Sequence, residues 1–180
     1  GDELRRRQYL SGMNIEDLEL ILHPMVEEAK EAVGSMGDDT PAAVLSEKYR
    51  PLSHFFRQNF SQVTNPPIDS LRENEVMSLK TRFGNLGNIL DFENLTKDNI
   101  YVLESPILSN SQFEKFTIFF KNSLRVLDCT FDVQNNLKKR LDQLCSEAEI
   151  AVREGCKHLI LSDKKISEKK VAIPMILVFG

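Results

Sequence analysis

A strand, a helix and a second strand follow one another between residues 124 and 162, and this order limits the possible folds more than any other feature. Residues 124–131 predict a strand that ends at Asp132, and residues 158–162 predict a second, apolar strand that ends at Asp163. Between them, apolar residues recur at helical spacing up to Gly155, which suits a helix C-terminus. The stripe consists of Leu137, Leu141, Leu144, Cys145, Ala148, Ala151 and Val152. Strands joined by a crossover helix are parallel, so we expect an α/β fold built from βαβ units.

Two other segments extend this prediction. Residues 100–104, followed by a helical pattern over 111–120, are a candidate for a further parallel strand. Residues 173–179 predict a buried strand with no covering helix after it, which indicates a domain truncated at the C-terminus. We therefore expect residues 1–180 to be part of one α/β domain, with residues 1–12 as an N-terminal linker.

A kinked helix is predicted near the N-terminus. Asn14 and Asp17 have the spacing of a helix cap with an acidic first turn. An apolar stripe follows and continues to a C-terminal glycine, Gly34, while Pro24 should kink or split the helix. The stripe consists of Leu18, Ile21, Leu22, Met25, Val26, Ala29 and Val33.

Charge and cysteine content exclude several classes of function. A net charge of −4 argues against nucleic acid or an anionic membrane as the main partner. The longest apolar run is too short to span a bilayer, and the first residues of the sequence do not have the apolar core expected of a signal peptide. The three cysteines show no metal-binding spacing, so we expect reduced, buried thiols and a cytoplasmic protein.

Two polar loops stand out, one over residues 34–41 and one over residues 63–73. Their glycines permit positive φ, while their prolines fix φ and remove hydrogen-bond donors. Asp, Asn and Thr oxygens in both loops can bond nearby amides. Such loops add little to a core, so they are where a binding function is expected.

Groups that could carry catalysis are sparse. The three histidines are scattered, and neither a nucleophile elbow nor a phosphate-binding loop is present. Asp132 and Asp163 follow predicted strands, where α/β folds place their sites, but Asp is also a common helix cap. Capping is the preferred interpretation for Asp132, whereas Asp163 suits a solvated loop and a site equally.

Several motifs together resemble the central domain of the glutamate synthase large chain, bacterial type. The match includes GSMGDDTP at 34–41, FFRQNFSQVTNPPIDSLRE at 55–73, MSL at 77–79, GNLGN at 84–88 and ESPIL at 104–108. The resemblance runs through essentially the whole chain and implies an α/β domain similar to an incomplete TIM barrel. It also implies that the chain joins an amidotransferase domain to an FMN-bearing synthase domain of the same polypeptide.

The resemblance implies a role for the chain without chemistry of its own. The parent enzyme would transfer the amide nitrogen of glutamine to 2-oxoglutarate, using FMN and an iron–sulfur cluster held outside this segment. The resemblance does not specify whether NADPH or ferredoxin is the electron donor. It is compatible with a contact between this chain and the small electron-donating subunit. No catalytic, cofactor-binding or metal-binding residue is carried over. The resemblance also implies that ammonia released from glutamine passes to the synthase site through an internal tunnel. The residues expected to line this tunnel or to dock neighbouring domains are Ser35, Asp38, Asp39, Thr40, Asn65, Asp69 and Arg72.

Two other interpretations remain open on the sequence. The chain could be a stand-alone α/β enzyme with a site at the strand ends, using Asp132 and Asp163. Such a site requires a concave pocket that holds carboxylates with perturbed pKa values. Alternatively, the chain is a plain scaffold whose loops hold neighbouring domains and line no tunnel.

Overall fold

The computed structural model describes residues 1–29, 43–45, 47, 52–56, 76, 78–84, 88, 90, 91, 93 and 100–180. The chain forms two units: the described parts of 1–13, 40–57 and 120–180, and those of 14–39 and 58–119. The α-helices and strands, in chain order, are α1 (Asp2–Ser11), α2 (His23–Glu27), β1 (Thr81–Phe83), β2 (Tyr101–Leu103), α3 (Asn110–Phe119), β3 (Leu124–Asp128), β4 (Thr130–Asp132), α4 (Leu137–Arg153), β5 (His158–Ser162), β6 (Lys170–Ala172) and α5 (Met175–Phe179).

The predicted βαβ unit is confirmed in the first unit. Strands β3 and β5 pair in parallel, from Leu124 opposite His158 to Asp128 opposite Ser162. The long helix α4 connects them and packs on one face of the pair. Its apolar stripe meets Leu127 from β3, and Leu127, Leu144 and Ile173 form the buried centre of the core.

Local capping fixes both ends of α4. The Asn136 side chain accepts a hydrogen bond from the backbone N of Lys139 at 3.1 Å, as an N-cap does. At the other end, Gly155 takes a φ of 90°. The backbone N of Gly155 then bonds the Val152 carbonyl and that of Cys156 bonds the Ala151 carbonyl, which is a Schellman motif.

The buried stripe of α4 is narrower than predicted. The residues that pack in or against the core are Leu137, Leu141, Leu144, Ala148 and Ala151. Cys145 and Val152 are exposed, so the prediction that they face the core is wrong. Each lies one residue, or about 100° of helix rotation, beyond a buried position, and α4 contacts the sheet along one side only.

The predicted strand over residues 124–131 is divided at Cys129 into β3 and β4. The backbone N of Cys129 donates to Ser162 O at 2.8 Å, which extends the pairing with β5. Its carbonyl accepts from the backbone N of Ile173 at 2.9 Å, and beyond it β4 pairs antiparallel with β6. The chain therefore changes strand partners at Cys129, which the sequence pattern does not reveal because the change depends on contacts with the distant residues Ser162 and Ile173.

The C-terminal segment contradicts the prediction of a buried strand over residues 173–179. Ile173 is buried, but the next residue, Pro174, has no N–H to donate to a strand ladder. Residues Met175–Phe179 form α5, and its Val178 packs against the core while Ile176 and Phe179 are exposed. Truncation of the domain stays a prediction.

In the second unit, residues 100–104 do not add a parallel strand. Strand β2 pairs antiparallel with β1, from Thr81 opposite Leu103 to Phe83 opposite Tyr101. The predicted helix over residues 111–120 is confirmed as α3. Its buried Phe116 makes edge-to-face contacts with Phe83 and Tyr101, at centroid distances of 5.1 and 5.5 Å. An aromatic cluster thus joins this helix to the strand pair.

The predicted cap at Asn14 is confirmed by a reciprocal pair of hydrogen bonds. Asn14 N donates to Asp17 Oδ2 at 2.9 Å, and Asp17 N donates to Asn14 Oδ1 at 3.0 Å. Residues Asp17–Leu22 are π-helical and lead into α2. Here His23 N bonds the Leu18 carbonyl, five residues back, immediately before Pro24, which cannot donate.

This helix ends earlier than predicted. Its last residue is Glu27, and Ala29 takes a left-handed φ of 50°, so Ala29 does not continue the apolar stripe. The Ser105 hydroxyl donates to the Met25 carbonyl at 2.9 Å and satisfies one of the open acceptors at the helix end. Val33 and Gly34 lie outside the described residues. No helix within the described part of the chain combines the length and apolarity needed to cross a membrane.

Candidate functional site

The parallel strands β3 and β5 end at Asp128 and Ser162, and this carboxyl edge is where an α/β fold places a site. Asp128 therefore occupies the position that the sequence suggested for Asp132. The loop after β5 brings Lys165 to the same edge, with its Nζ 3.3 Å from Asp128 Oδ2. The carboxyl edge thus carries the Asp128 carboxylate and the Lys165 ammonium group as an ion pair.

Asp128 is held in its ionised form. Thr130 donates two hydrogen bonds to Asp128 Oδ1, from its backbone N at 3.1 Å and its hydroxyl at 2.7 Å. Burial acts to raise the pKa of Asp128, but the Thr130 hydrogen bonds and the Lys165 ammonium outweigh it. The pKa of Asp128 consequently lies below its usual range. A carboxylate so occupied braces the loop and is poorly suited to accept a proton in a reaction.

Arg140 on α4 fixes the backbone where β3 passes into β4. Its Nη2 donates to the Asp128 carbonyl at 2.6 Å and its Nε to the Thr130 carbonyl at 3.4 Å. Its Nη1 donates to Glu147 Oε1, about two turns further along the helix, at 2.7 Å. One guanidinium therefore ties the helix to both carbonyls beside the partner change at Cys129.

Cys129 is the fully buried residue of this junction, as predicted for a packing cysteine. Its side chain is 0% exposed, and its thiol donates to the Leu127 carbonyl at 3.6 Å. Burial raises the pKa of the Cys129 thiol, which keeps it protonated. A buried thiol is a poor nucleophile and a poor metal ligand, so Cys129 belongs to the structure and not to a reaction.

The two predicted strand-end acids do not form one site. Asp132 lines a cavity of about 450 Å³ beside α4, whereas Asp163 lines another of about 220 Å³ beside α1. The prediction that Asp132 caps the helix is wrong, because Asn136 is the cap. Asp132 Oδ1 instead accepts from the backbone N of Gln134 at 2.9 Å and closes a turn. The Asp163 carbonyl accepts from Ile166 N within its loop.

The two histidines whose side chains are described lie in different elements, and the predicted loop residues lie outside the described part of the chain. His158 stacks on Phe120, with ring centroids 3.9 Å apart, and His23 lies 3.5 Å from Glu27 on the helix surface. Over the described ranges, no group of three His, Cys, Asp or Glu side chains could hold a metal ion. The loop residues predicted for the tunnel or for docking all lie outside the described residues: Ser35, Asp38, Asp39, Thr40, Asn65, Asp69 and Arg72.

Comparison with known proteins identifies the family of the chain. The family model for the glutamate synthase central domain matches residues 6–180. The chain belongs to this glutamate synthase central domain family. The resemblance to this family, which the sequence motifs indicated, is therefore confirmed.

Individual relatives of the central domain agree with this assignment. The chain is 56% identical over 181 residues to the NADPH glutamate synthase large chain of Azospirillum brasilense. The aligned residues make up 99% of this chain and 12% of that protein. The chain is 40% identical over 185 residues to the chloroplast ferredoxin-dependent glutamate synthase 2 of Arabidopsis thaliana, and the alignment covers 99% of this chain and 11% of that protein. The chain is 37% identical over 177 residues to the NADPH glutamate synthase large chain of Bacillus subtilis (strain 168), and the alignment covers 97% of this chain and 11% of that protein. The central domain thus spans about an eighth or less of these relatives.

Proposed function

We propose that this chain is the central segment of a glutamate synthase large chain and connects its amidotransferase and FMN synthase domains. The observation that carries the proposal is the family match over residues 6–180. The parent enzyme transfers the amide nitrogen of glutamine to 2-oxoglutarate and reduces the product to glutamate, as an oxidoreductase. The relatives are far longer than this chain, which leaves room for other domains on the same polypeptide.

Within that enzyme, we assign the segment a positioning role. It would hold two active sites at a fixed separation and form part of the wall of an ammonia tunnel. The strand-end groups support this role, because Asp128 and Arg140 are engaged in bracing their own loop and helix. The proposed tunnel or docking residues remain those predicted from the loops: Ser35, Asp38, Asp39, Thr40, Asn65, Asp69 and Arg72.

We place the cofactors of the parent enzyme in other segments. An iron–sulfur cluster usually requires four cysteine thiolates, and this chain has three cysteines. Of these, Cys129 is buried with its thiol bonded to a carbonyl, while Cys145 lies exposed on α4. FMN and the cluster would supply the redox chemistry there. Contact with the small electron-donating subunit, a cytoplasmic location and an incomplete barrel fold are further parts of the proposal.

The tunnel role is tested in the full-length enzyme with Thr40→Val and Asp39→Ala. Each variant should hydrolyse glutamine at a near-normal rate but form less glutamate per glutamine consumed, because ammonia escapes through a disturbed wall. The measurement is the ratio of the two rates in one assay mixture. Thr117→Val and Asp142→Ala, which make the same chemical changes on the helices α3 and α4, should leave this ratio unchanged.

A ratio that stays intact in both loop variants would contradict the tunnel role. Reduced yield or stability of the enzyme with full coupling would instead support the scaffold alternative, in which the loops only hold neighbouring domains. Separate measurements of coupling and thermal stability therefore distinguish the two roles.

A further inference from the structure

A polar cavity of about 450 Å³ lies between the strand pair β4–β6 and the first turns of α4. From the strands, Asp132 and Lys170 line it, and these two residues are direct partners in the antiparallel register. From the helix, Asn136, Lys139 and Gln143 line it at spacings of three and four residues, which place them along one helix face. The volume lies within the range of small-molecule sites.

Several charged groups of the cavity wall are already neutralised. Asp128 pairs with Lys165, and Arg140 pairs with Glu147 while its other donors bond two backbone carbonyls. Within the described part of the chain, Asp132, Lys139 and Lys170 form no ion pair. The cavity therefore presents two ammonium groups and one carboxylate that have no ion-pair partner among the described residues, although Asp132 Oδ1 also accepts from Gln134 N.

This set of charges is the complement of an acidic amino acid. Such a molecule carries two carboxylates and one ammonium, so each of its charged groups would meet an opposite charge on the cavity wall. The side-chain amides of Asn136 and Gln143 add neutral donors and acceptors for the remaining lone pairs. We propose that this cavity binds an acidic α-amino acid, with Lys139 and Lys170 at its carboxylates and Asp132 at its ammonium group.

Ligand binding to the 180-residue chain tests the proposal by isothermal titration calorimetry with L-glutamate as the probe. Lys139→Gln and Lys170→Gln should each weaken binding about tenfold or more, because each removes a charge-assisted hydrogen bond. Lys138→Gln is the matched control, since this neighbouring lysine does not line the cavity, and its affinity should equal that of the original chain. Circular dichroism verifies that all the variants fold.

Ligand analogues test the assignment of each charge. L-Glutamine, which lacks one carboxylate, and glutarate, which lacks the ammonium group, should both bind more weakly than L-glutamate. Asp132→Asn should remove the preference for L-glutamate over glutarate. Absence of heat at millimolar L-glutamate, an affinity of both lysine variants unchanged from that of the original chain, or binding of inorganic phosphate as tight as that of L-glutamate would each overturn the proposal. The titration uses no coupled reaction, so its failure is separate from failure of the tunnel role.

Discussion

The parallel pair β3–β5 and the antiparallel pair β1–β2 are both two-stranded, yet they are stabilised in different ways. The parallel pair has five residues per strand and a 17-residue crossover helix whose aliphatic stripe packs on one face. The antiparallel pair has three residues per strand and meets α3 through the aromatic side chains Phe83, Tyr101 and Phe116. Because short strands have few ladder bonds, the second arrangement depends more on a single large side chain.

The same difference explains where polar side chains bond the backbone. Around the parallel pair, Arg140 and Asn136 tie down a strand end and a helix start. Near the antiparallel pair, Ser105 bonds the end of α2 across 80 residues of sequence. The side-chain hydrogen bonds of α4 thus span 12 residues or fewer in these two cases, whereas that of Ser105 spans 80.

The largest expected effect is that of Phe116→Ala in the aromatic cluster. Phe116 is 7% exposed and contacts both strands of the antiparallel pair, so its removal should cost about 3–5 kcal/mol of unfolding free energy. Urea denaturation measures the change. Phe113→Ala, at an exposed position of the same helix, should cost about 0.5 kcal/mol or less. Equal effects of the two substitutions would contradict the cluster as the main support of this pair.

Leu127→Ala should have a slightly smaller effect on the parallel pair. Leu127 is 4% exposed at the centre of an aliphatic core, and its loss should cost about 2–5 kcal/mol by urea denaturation. The neighbouring Val126, which is 54% exposed, provides the control, and Val126→Ala should change stability by about 0.5 kcal/mol. If Val126→Ala proved as costly, both faces of the parallel pair would have to be covered.

A smaller effect is expected at the start of the crossover helix. Asn136→Ala removes the side-chain acceptor for Lys139 N and should lower stability by about 1 kcal/mol. Asn135→Ala, one residue earlier, should have less than half that effect. The same denaturation experiment decides the capping assignment, and a greater loss for Asn135→Ala would show that the helix begins elsewhere.

The smallest effect concerns acid stability and Asp128. Because its folded-state pKa is lowered, its stabilising contribution is present above the unfolded pKa of about 3.9 and is lost as pH falls through the folded value. Asp128→Asn should therefore flatten the decline in unfolding free energy below about pH 4. Asp142→Asn, at an exposed position of α4, is the matched control. An unchanged acid slope in Asp128→Asn would mean that Thr130 and Lys165 do not stabilise the carboxylate.

The crossover unit was predictable because its signals are local. The apolar stripe of α4 and the glycine at position 155 are set by the spacing of nearby residues, as is the separate cap at Asn14 near the N-terminus. The candidate site was less predictable. Asp128 was missed because residues 124–131 were predicted as one strand, and only the pairing of Cys129 with both Ser162 and Ile173 ends the parallel strand at Asp128.

Other errors have the same origin in long-range contacts. Apolar character predicted a strand over residues 173–179, but the bond from Ile173 to Cys129 and the proline that follows direct these residues into a helix. The exposure of Cys145 depends on how much of α4 touches the sheet, which helical spacing does not specify. Strand direction at residues 101–103 depends on the partner β1, which lies some twenty residues earlier.

The sequence by itself therefore determined the family, the crossover unit, the cap at Asn14 and the helix end at Gly155, because motifs, periodicity and such caps are properties of neighbouring residues. The tertiary structure decided which strands pair, where the parallel strand ends and which acid stands at its edge. It also brought Asp132, Lys139 and Lys170 around one cavity. These features depend on hydrogen bonds and packing between residues far apart in the chain, and no local pattern records such contacts.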